Sequence, residues 1–162
     1  MGAFTGKTVL ILGGSRGIGA AIVRRFVTDG ANVRFTYAGS KDAAKRLAQE
    51  TGATAVFTDS ADRDAVIDVV RKSGALDILV VNAGIGVFGE ALELNADDID
   101  RLFKINIHAP YHASVEAARQ MPEGRAHLNH RLREWRSYAC CRHGCLCRQQ
   151  ICPTRHGARA GP

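Results

Sequence analysis

Apolar and polar residues alternate in blocks along most of the chain, and several of the apolar blocks are short. These short runs are rich in Val, Ile, Leu and Phe, and they end at Gly, Ala, Asp or Asn. Runs of this kind are typical of buried strands. The sequence therefore predicts strands at residues 9–12, 32–37, 54–58 and 76–81.

The segments between these runs carry apolar residues at the spacing of one helix face. They predict helices at residues 20–27, 42–50, 64–72 and 97–118. Strands that alternate with helices form parallel βαβ units with right-handed connections. We expect an α/β fold with a parallel sheet of about four strands, and ligands at the carboxyl ends of those strands.

A glycine-rich turn joins the first strand to the first helix. Glycines occupy positions 13, 14, 17 and 19. Residues without Cβ let the backbone turn tightly and let a diphosphate approach, and the helix start offers free N–H groups to the anion. The spacing only approximates the G-x-G-x-x-G fingerprint, so a tight turn that binds nothing stays the alternative.

Composition divides the 162 residues near Gly124. Residues 1–124 hold 14 Lys or Arg and 15 Asp or Glu, whereas residues 125–162 hold eight Arg, one acid, no Lys and all five Cys. The later segment has few large aliphatic residues, so we expect an unstructured tail after an N-terminal domain at 1–124. Its cysteine spacing matches no paired metal-binding pattern, so no metal is predicted.

Partners and compartment follow from the same distribution. The net charge of +6 arises because the tail carries +7 and residues 1–124 carry −1. Aromatic residues are nearly absent from the tail, so we expect no nucleic-acid partner. No apolar run reaches the length of a membrane span, and the N-terminus has no signal-peptide pattern. We therefore expect no membrane partner and a cytoplasmic location.

Four landmarks in order resemble the short-chain dehydrogenase/reductase family. They are Gly13-x-x-x-Gly17-Ile18-Gly19, then Asp59, then Asn82-Ala83-Gly84, then Asn106. The resemblance covers residues 1–124 and implies a Rossmann-like, doubly wound parallel sheet, here truncated after about four strands and followed by an irregular tail. One departure is Leu12, where the family usually has Thr.

The resemblance implies a nicotinamide cofactor over the strand ends and a small-molecule substrate. By motif position, the expected cofactor-binding residues are Gly13, Ser15, Arg16, Gly17, Ile18, Gly19, Asp59, Ser60, Asn82, Ala83 and Gly84. Tyr37, Ser40 and Lys41, at the end of the second strand, are expected to join them. Among them, Asp59 and Ser60 would approach the adenine. Asn106 matches the family's catalytic Asn. The family also implies a homo-oligomeric parent.

The residues after the second strand favour NADP(H) over NAD(H). A carboxylate there would bind the adenosine ribose hydroxyls and repel a 2′-phosphate, but residues 37–41 contain none. Arg16 and Lys41 can supply positive charge, and Ser40 a hydroxyl, to a phosphate. The alternative is that Arg16 and Lys41 are solvated surface residues.

The family's Ser, Tyr and Lys should follow a fifth strand, after Gly124. Tyr138 is followed four residues later by Arg142, and no Lys occurs after Lys104. Arg stays protonated and does not replace that Lys. We therefore expect a chain that binds the cofactor but lacks its acid–base residues.

A regulatory function is the second hypothesis. Residues 1–124 also resemble a member of the family that binds cyclic-di-GMP and acts in biofilm dispersal. A nucleotide sensor that keeps the fold and little of the chemistry would need no Tyr or Lys. A cyclic dinucleotide is therefore the alternative partner, although its binding residues are not identifiable from the sequence.

The genetic code offers an explanation of the tail. Shifted by one base, the codons of residues 127–130 permit Ile-Leu-Ile-Ile, a good fifth strand. The codon of Leu132 then permits Ser, that of Leu146 permits Tyr, and the triplet that begins inside Gln150 encodes Lys or Arg. These match the family's Ser and Tyr-x-x-x-Lys in order. We expect the tail to be a family-typical sequence translated in the wrong frame.

Overall fold

The computed structural model describes residues 2–90, 92–120, 126–129, 138–140 and 146–148. Strands and helices alternate through most of it. The strands are β1 (Thr8–Leu12), β2 (Asn32–Tyr37), β3 (Thr54–Phe57), β4 (Ile78–Val81), β5 (Ala126–Asn129), β6 (Tyr138–Cys140) and β7 (Leu146–Arg148). The α-helices are α1 (Gly17–Thr28), α2 (Lys41–Thr51), α3 (Arg63–Arg71), α4 (Ala96–Phe103) and α5 (Ala109–Gln120).

The strands form one sheet in the order β3-β2-β1-β4-β5-β6-β7. Strands β1 to β5 pair in parallel, and β6 and β7 pair antiparallel. The α/β class and the four predicted parallel strands are confirmed. The order reverses at β1, where β2 lies on one side and β4 on the other, so the sheet has its switch point beside the glycine-rich turn.

Three short strands in the range 125–162 were not predicted. Strand β5 pairs with β4, with Leu128 opposite Val80, and β6 and β7 continue the edge. Ladder pairing uses backbone groups, whereas sequence patterns report side chains. A run such as Ala-His-Leu-Asn therefore carries no strand signal. The other residues of the expected tail lie outside the described residues.

Helices cover both faces of the sheet. On one face, α1 and α2 pack over Val9, Ile11 and Phe35; on the other, α3 and α5 pack over Leu10 and Leu12. Alternate residues of β1 thus enter opposite halves of the core. The four residues from Val9 to Leu12 are almost fully buried. Burial on both faces explains why the strands of this parallel sheet are continuous apolar runs.

The long helix predicted from Asp97 is interrupted. Helix α4 begins one residue earlier, where the Asn95 side chain accepts the Asp97 N–H at 2.8 Å. A π turn at Lys104–His108 then joins α4 to α5. π turns are rare and are often found at functional sites. None of the helices in the described part of the chain is long and apolar enough to cross a membrane.

Candidate functional site

A cleft of about 420 Å³ opens at the carboxyl ends of β1 to β4. Its wall comes from the loops that follow these strands and from one side of α4 and the π turn. The lining residues are Gly13, Ser15, Arg16, Ile18, Thr36, Tyr37, Ala38, Gly39, Ser40, Thr58, Asp59, Ser60, Asn82, Ala83, Gly84, Ile85, Arg101 and Ile105. The cleft lies where the strand order reverses, which is the ligand position expected for this sheet type.

Most residues expected at a cofactor site meet in this cleft. Those that line it are Gly13, Ser15, Arg16, Ile18, Tyr37, Ser40, Asp59, Ser60, Asn82, Ala83 and Gly84. Those outside the lining are Gly17, Gly19, Lys41 and Asn106. Two cations were expected to bind the phosphate. Arg16 lines the cleft, whereas Lys41, the first residue of α2, does not.

Three glycines of the turn are required by the protein's own packing. A Cβ on Gly13, whose φ is +77°, would lie 2.7 Å from the Ala83 backbone, and one on Gly14 would lie 2.5 Å from Phe35 Cβ. A Cβ on Gly19 would overlap the Gly13 carbonyl. Gly17 differs, because its φ is +54° and its Cβ position faces open space. These small residues hold the turn close against β2 and β4.

Hydrogen bonds fix the same turn. The Gly13 N–H donates to Thr36 Oγ1 and the Gly14 N–H donates to the Thr36 carbonyl, both at 2.9 Å. Asn82 Nδ2 donates to the Gly13 carbonyl at 2.8 Å. Thr36 was not predicted as a site residue, although a polar residue in a buried strand is a signal, because buried hydroxyls need partners.

The start of α1 is open to an anion. Arg16 is the N-cap residue, its backbone is extended, and its side chain makes no capping hydrogen bond. The first turn also contains no acid. The positive end of the helix dipole and the N–H groups of this turn therefore meet no capping carboxylate. A dinucleotide's diphosphate fits a turn with these properties.

The segment after β2 shapes the far end of the cleft. Tyr37, Ala38, Gly39 and Ser40 line it, and no acid occurs among them. Arg16 lines the cleft as well. A 2′-phosphate at this end would meet a guanidinium and a hydroxyl in place of a repelling carboxylate.

Asp59 is held in place from two sides. Its Oδ1 accepts the Ala61 N–H at 2.9 Å, and Arg101 Nη2 lies 3.1 Å from Oδ1 and 3.0 Å from Oδ2. Partial burial acts to raise the pKa of Asp59, but these two donors outweigh it and hold that pKa below its ordinary value. Arg101 was not predicted as a site residue, because nothing in the local sequence pattern joins α4 to the end of β3.

Asn106 binds a neighbouring backbone. Its Oδ1 accepts the Ile85 N–H at 3.0 Å, and its Nδ2 donates to the Ile85 carbonyl at 2.8 Å. The π turn brings Asn106 to the loop that follows β4. Both ends of the amide are thus engaged, and Asn106 positions Ile85, which lines the cleft.

The family model described as short chain dehydrogenase matches residues 7–127. The chain belongs to this family. Among curated relatives, versicolorin reductase 1 of Aspergillus parasiticus is 37% identical over 128 residues, which are 74% of this chain and 49% of the relative. L-rhamnose 1-dehydrogenase (NAD(P)(+)) of a Sphingomonas species is 38% identical over 125 residues, 72% of this chain and 49% of the relative.

Solved structures agree with this membership. The crystal structure of BdcA in complex with NADPH is 97% identical with a TM-score of 0.78, over 79% of this chain and 52% of that one. BdcA from E. coli is 90% identical with a TM-score of 0.72, over 79% and 64%. The chain spans about half the length of the curated relatives it matches. The expected Rossmann-like fold is confirmed, and NADP(H), the expected cofactor, is bound in the first of these structures.

Proposed function

We propose that this chain is the NADP(H)-binding portion of a short-chain dehydrogenase/reductase. One observation carries the choice of cofactor: Arg16 and Ser40 line the cleft where a carboxylate would exclude a 2′-phosphate. The NADPH bound in the structure of BdcA supports the same choice. Titration of the chain with NADPH and NADH tests it, and equal affinity for the two would contradict it.

Bound NADP(H) would supply hydride transfer between its nicotinamide and a carbonyl or alcohol. The residues of this chain would bind and orient it. The α1 start would hold the diphosphate, Arg16 and Ser40 the 2′-phosphate, and Asp59 and Ser60 the adenine. Asn106 acts as a positioning residue, because its amide fixes the Ile85 backbone.

The chain itself is proposed to be inactive. The residues after Gly124 include no Lys, so the proton-transferring Tyr-x-x-x-Lys pair of the family is missing. NADPH binding without NADPH consumption on simple aldehydes and ketones is the expected result. Turnover above the rate of a heat-denatured sample would contradict the proposed inactivity.

The intact parent is proposed to differ from this chain by a frame shift near Gly124. The parent would act on a small molecule, assemble as a homo-oligomer and reside in the cytoplasm. Its substrate is a carbonyl or alcohol by family chemistry. Sequencing the coding DNA tests the frame: a stop codon before the Lys triplet that begins inside Gln150, or no Tyr at the triplet of Leu146, would contradict it.

A cyclic-di-GMP-binding regulator of biofilm dispersal is the second candidate. The resemblance of residues 1–124 to a cyclic-di-GMP-binding member of the family that acts in biofilm dispersal supports it. Displacement of NADPH by cyclic-di-GMP would support a shared site on this fold. Saturating cyclic-di-GMP that neither displaces NADPH nor binds beside it would contradict this candidate.

A further inference from the structure

The carboxylate of Asp59 lies at the α4 side of the cleft, where it can accept hydrogen bonds from a ligand. Both Asp59 and Arg101 line the cleft. Their ion pair joins the loop after β3 to helix α4 across 42 residues of sequence. It is a contact of this chain's own side chains, and it decides how many lone pairs of Asp59 face a ligand.

The geometry shows which lone pairs remain. Arg101 Nη2 lies almost equally far from both carboxylate oxygens, 3.1 and 3.0 Å, so it lies on the side where both syn lone pairs point. The Ala61 N–H takes a further position on Oδ1. An ionised carboxylate has about four acceptor positions in total. One position, on Oδ2, is therefore left for a ligand.

Adenine and guanine differ in the hydrogen-bond donors that they present to a carboxylate. Adenine presents a single exocyclic amine, and one acceptor satisfies it. Guanine presents a ring N–H beside its amine, and this pair of donors is matched by the two syn positions of one carboxylate. Arg101 occupies those two positions. Guanine would have to displace the guanidinium or leave a donor without a partner, which costs affinity.

We propose that Arg101 is a specificity-determining positioning residue that makes the base end of this cleft select adenine over guanine. The proposal rests on the proposed function, because it assumes that a dinucleotide binds here with its base at Asp59. It adds that base choice depends on a residue of α4 that acts through the carboxylate. A guanine dinucleotide would accordingly need a different contact in this cleft.

The test uses the full chain and two dinucleotides that differ only in the base, NAD⁺ and nicotinamide guanine dinucleotide. Each displaces NADPH, which is followed by nicotinamide fluorescence. The unaltered chain is expected to favour the adenine ligand. Arg101→Gln is expected to shrink the ratio of the two dissociation constants roughly tenfold, the effect of one charge-assisted hydrogen bond. Arg101→Lys, whose ammonium is a single point donor, should give a ratio between those of the unaltered chain and Arg101→Gln.

Arg24→Gln is the matched control. Arg24 forms an exposed ion pair with Glu50, at 2.7 and 2.9 Å, away from the cleft, and its loss should leave the ratio unchanged. If both Arg101 variants weaken the two ligands equally, Arg101 is merely structural and the inference is wrong. If the unaltered chain binds no NADPH, the proposed function fails, and this inference fails with it.

Discussion

Helices α1 and α3 both begin where a parallel strand of the same sheet ends, yet their first turns are chemically opposite. Asp62 caps α3, and its Oδ1 accepts the N–H groups of Asp64 and Ala65 at 2.9 and 3.1 Å. Arg16 stands at the same position of α1 and makes no capping bond. Capping by Asp adds stability to a helix start. The chain forgoes that gain at α1, where a ligand can supply the missing acceptor.

The largest effect is expected when α1 is made to resemble α3. Arg16→Asp places a capping carboxylate at the helix start and replaces a cation beside the phosphates with an anion. NADPH affinity should fall by about 100-fold, because a charge-assisted contact is lost and a repulsive one is gained. Isothermal titration measures it. Arg63→Asp makes the same charge change at the start of α3 and should leave the affinity within about twofold.

A milder change sharpens the same comparison. Arg16→Ala removes the cation without adding a cap, and it should narrow the preference for NADPH over NADH by ~1–2 kcal/mol. NADH affinity should change less, since NADH has no 2′-phosphate. Arg63→Ala serves as the control. A preference that stays the same without Arg16 would show that the cation is a solvated surface residue.

Removing the α3 cap should affect folding and spare binding. Asp62→Ala leaves two N–H donors without their acceptor and should lower the free energy of unfolding by ~1 kcal/mol. Arg16→Ala should change that free energy by less than ~0.5 kcal/mol, because no cap is lost. Urea denaturation of both variants compares the two helix starts. Similar losses of unfolding free energy in the two variants would refute the contrast between the two helix starts.

The smallest effect is expected from acid, at Asp59 in the loop between β3 and α3. The Ala61 N–H and Arg101 hold the pKa of Asp59 below its ordinary value, so its ionised form stabilises the folded chain above that ordinary value. This stabilisation should fade as the pH falls through the lowered pKa of the folded state. Urea midpoints across the acidic range should fall less steeply in Asp59→Asn. An identical slope would show that Asp59 adds nothing to acid sensitivity.

Sequence patterns predicted the fold well wherever burial controls residue type. The four central strands are apolar because both of their faces are covered, and this made them visible in the sequence. Strand β5 was not visible, since a ladder with β4 requires only backbone groups. The π turn was also missed, because an apolar period reports which face is buried and not which hydrogen-bond register the helix adopts.

The candidate site divides in a similar way. Local motifs located Gly13, Arg16 and Asn82, because a glycine turn and a strand end are contiguous in sequence. Contacts across the chain could not be found in this manner. The pairing of Asp59 with Arg101 depends on where α4 crosses the sheet. The role of Thr36 depends on how closely β2 approaches the turn.

The π turn at Lys104–His108 also limits how the gene can change. A π turn holds one residue more than an α-helical path through the same segment. Deleting one residue there would leave an α-helical path through the same segment, so the residues after it would keep their facing. Inserting a further residue would instead rotate everything after it by about 100°. The buried face of α5, with Ala109, Ala113 and Ala117, would then turn away from its core cluster. In this segment a codon can therefore be lost more easily than one can be gained.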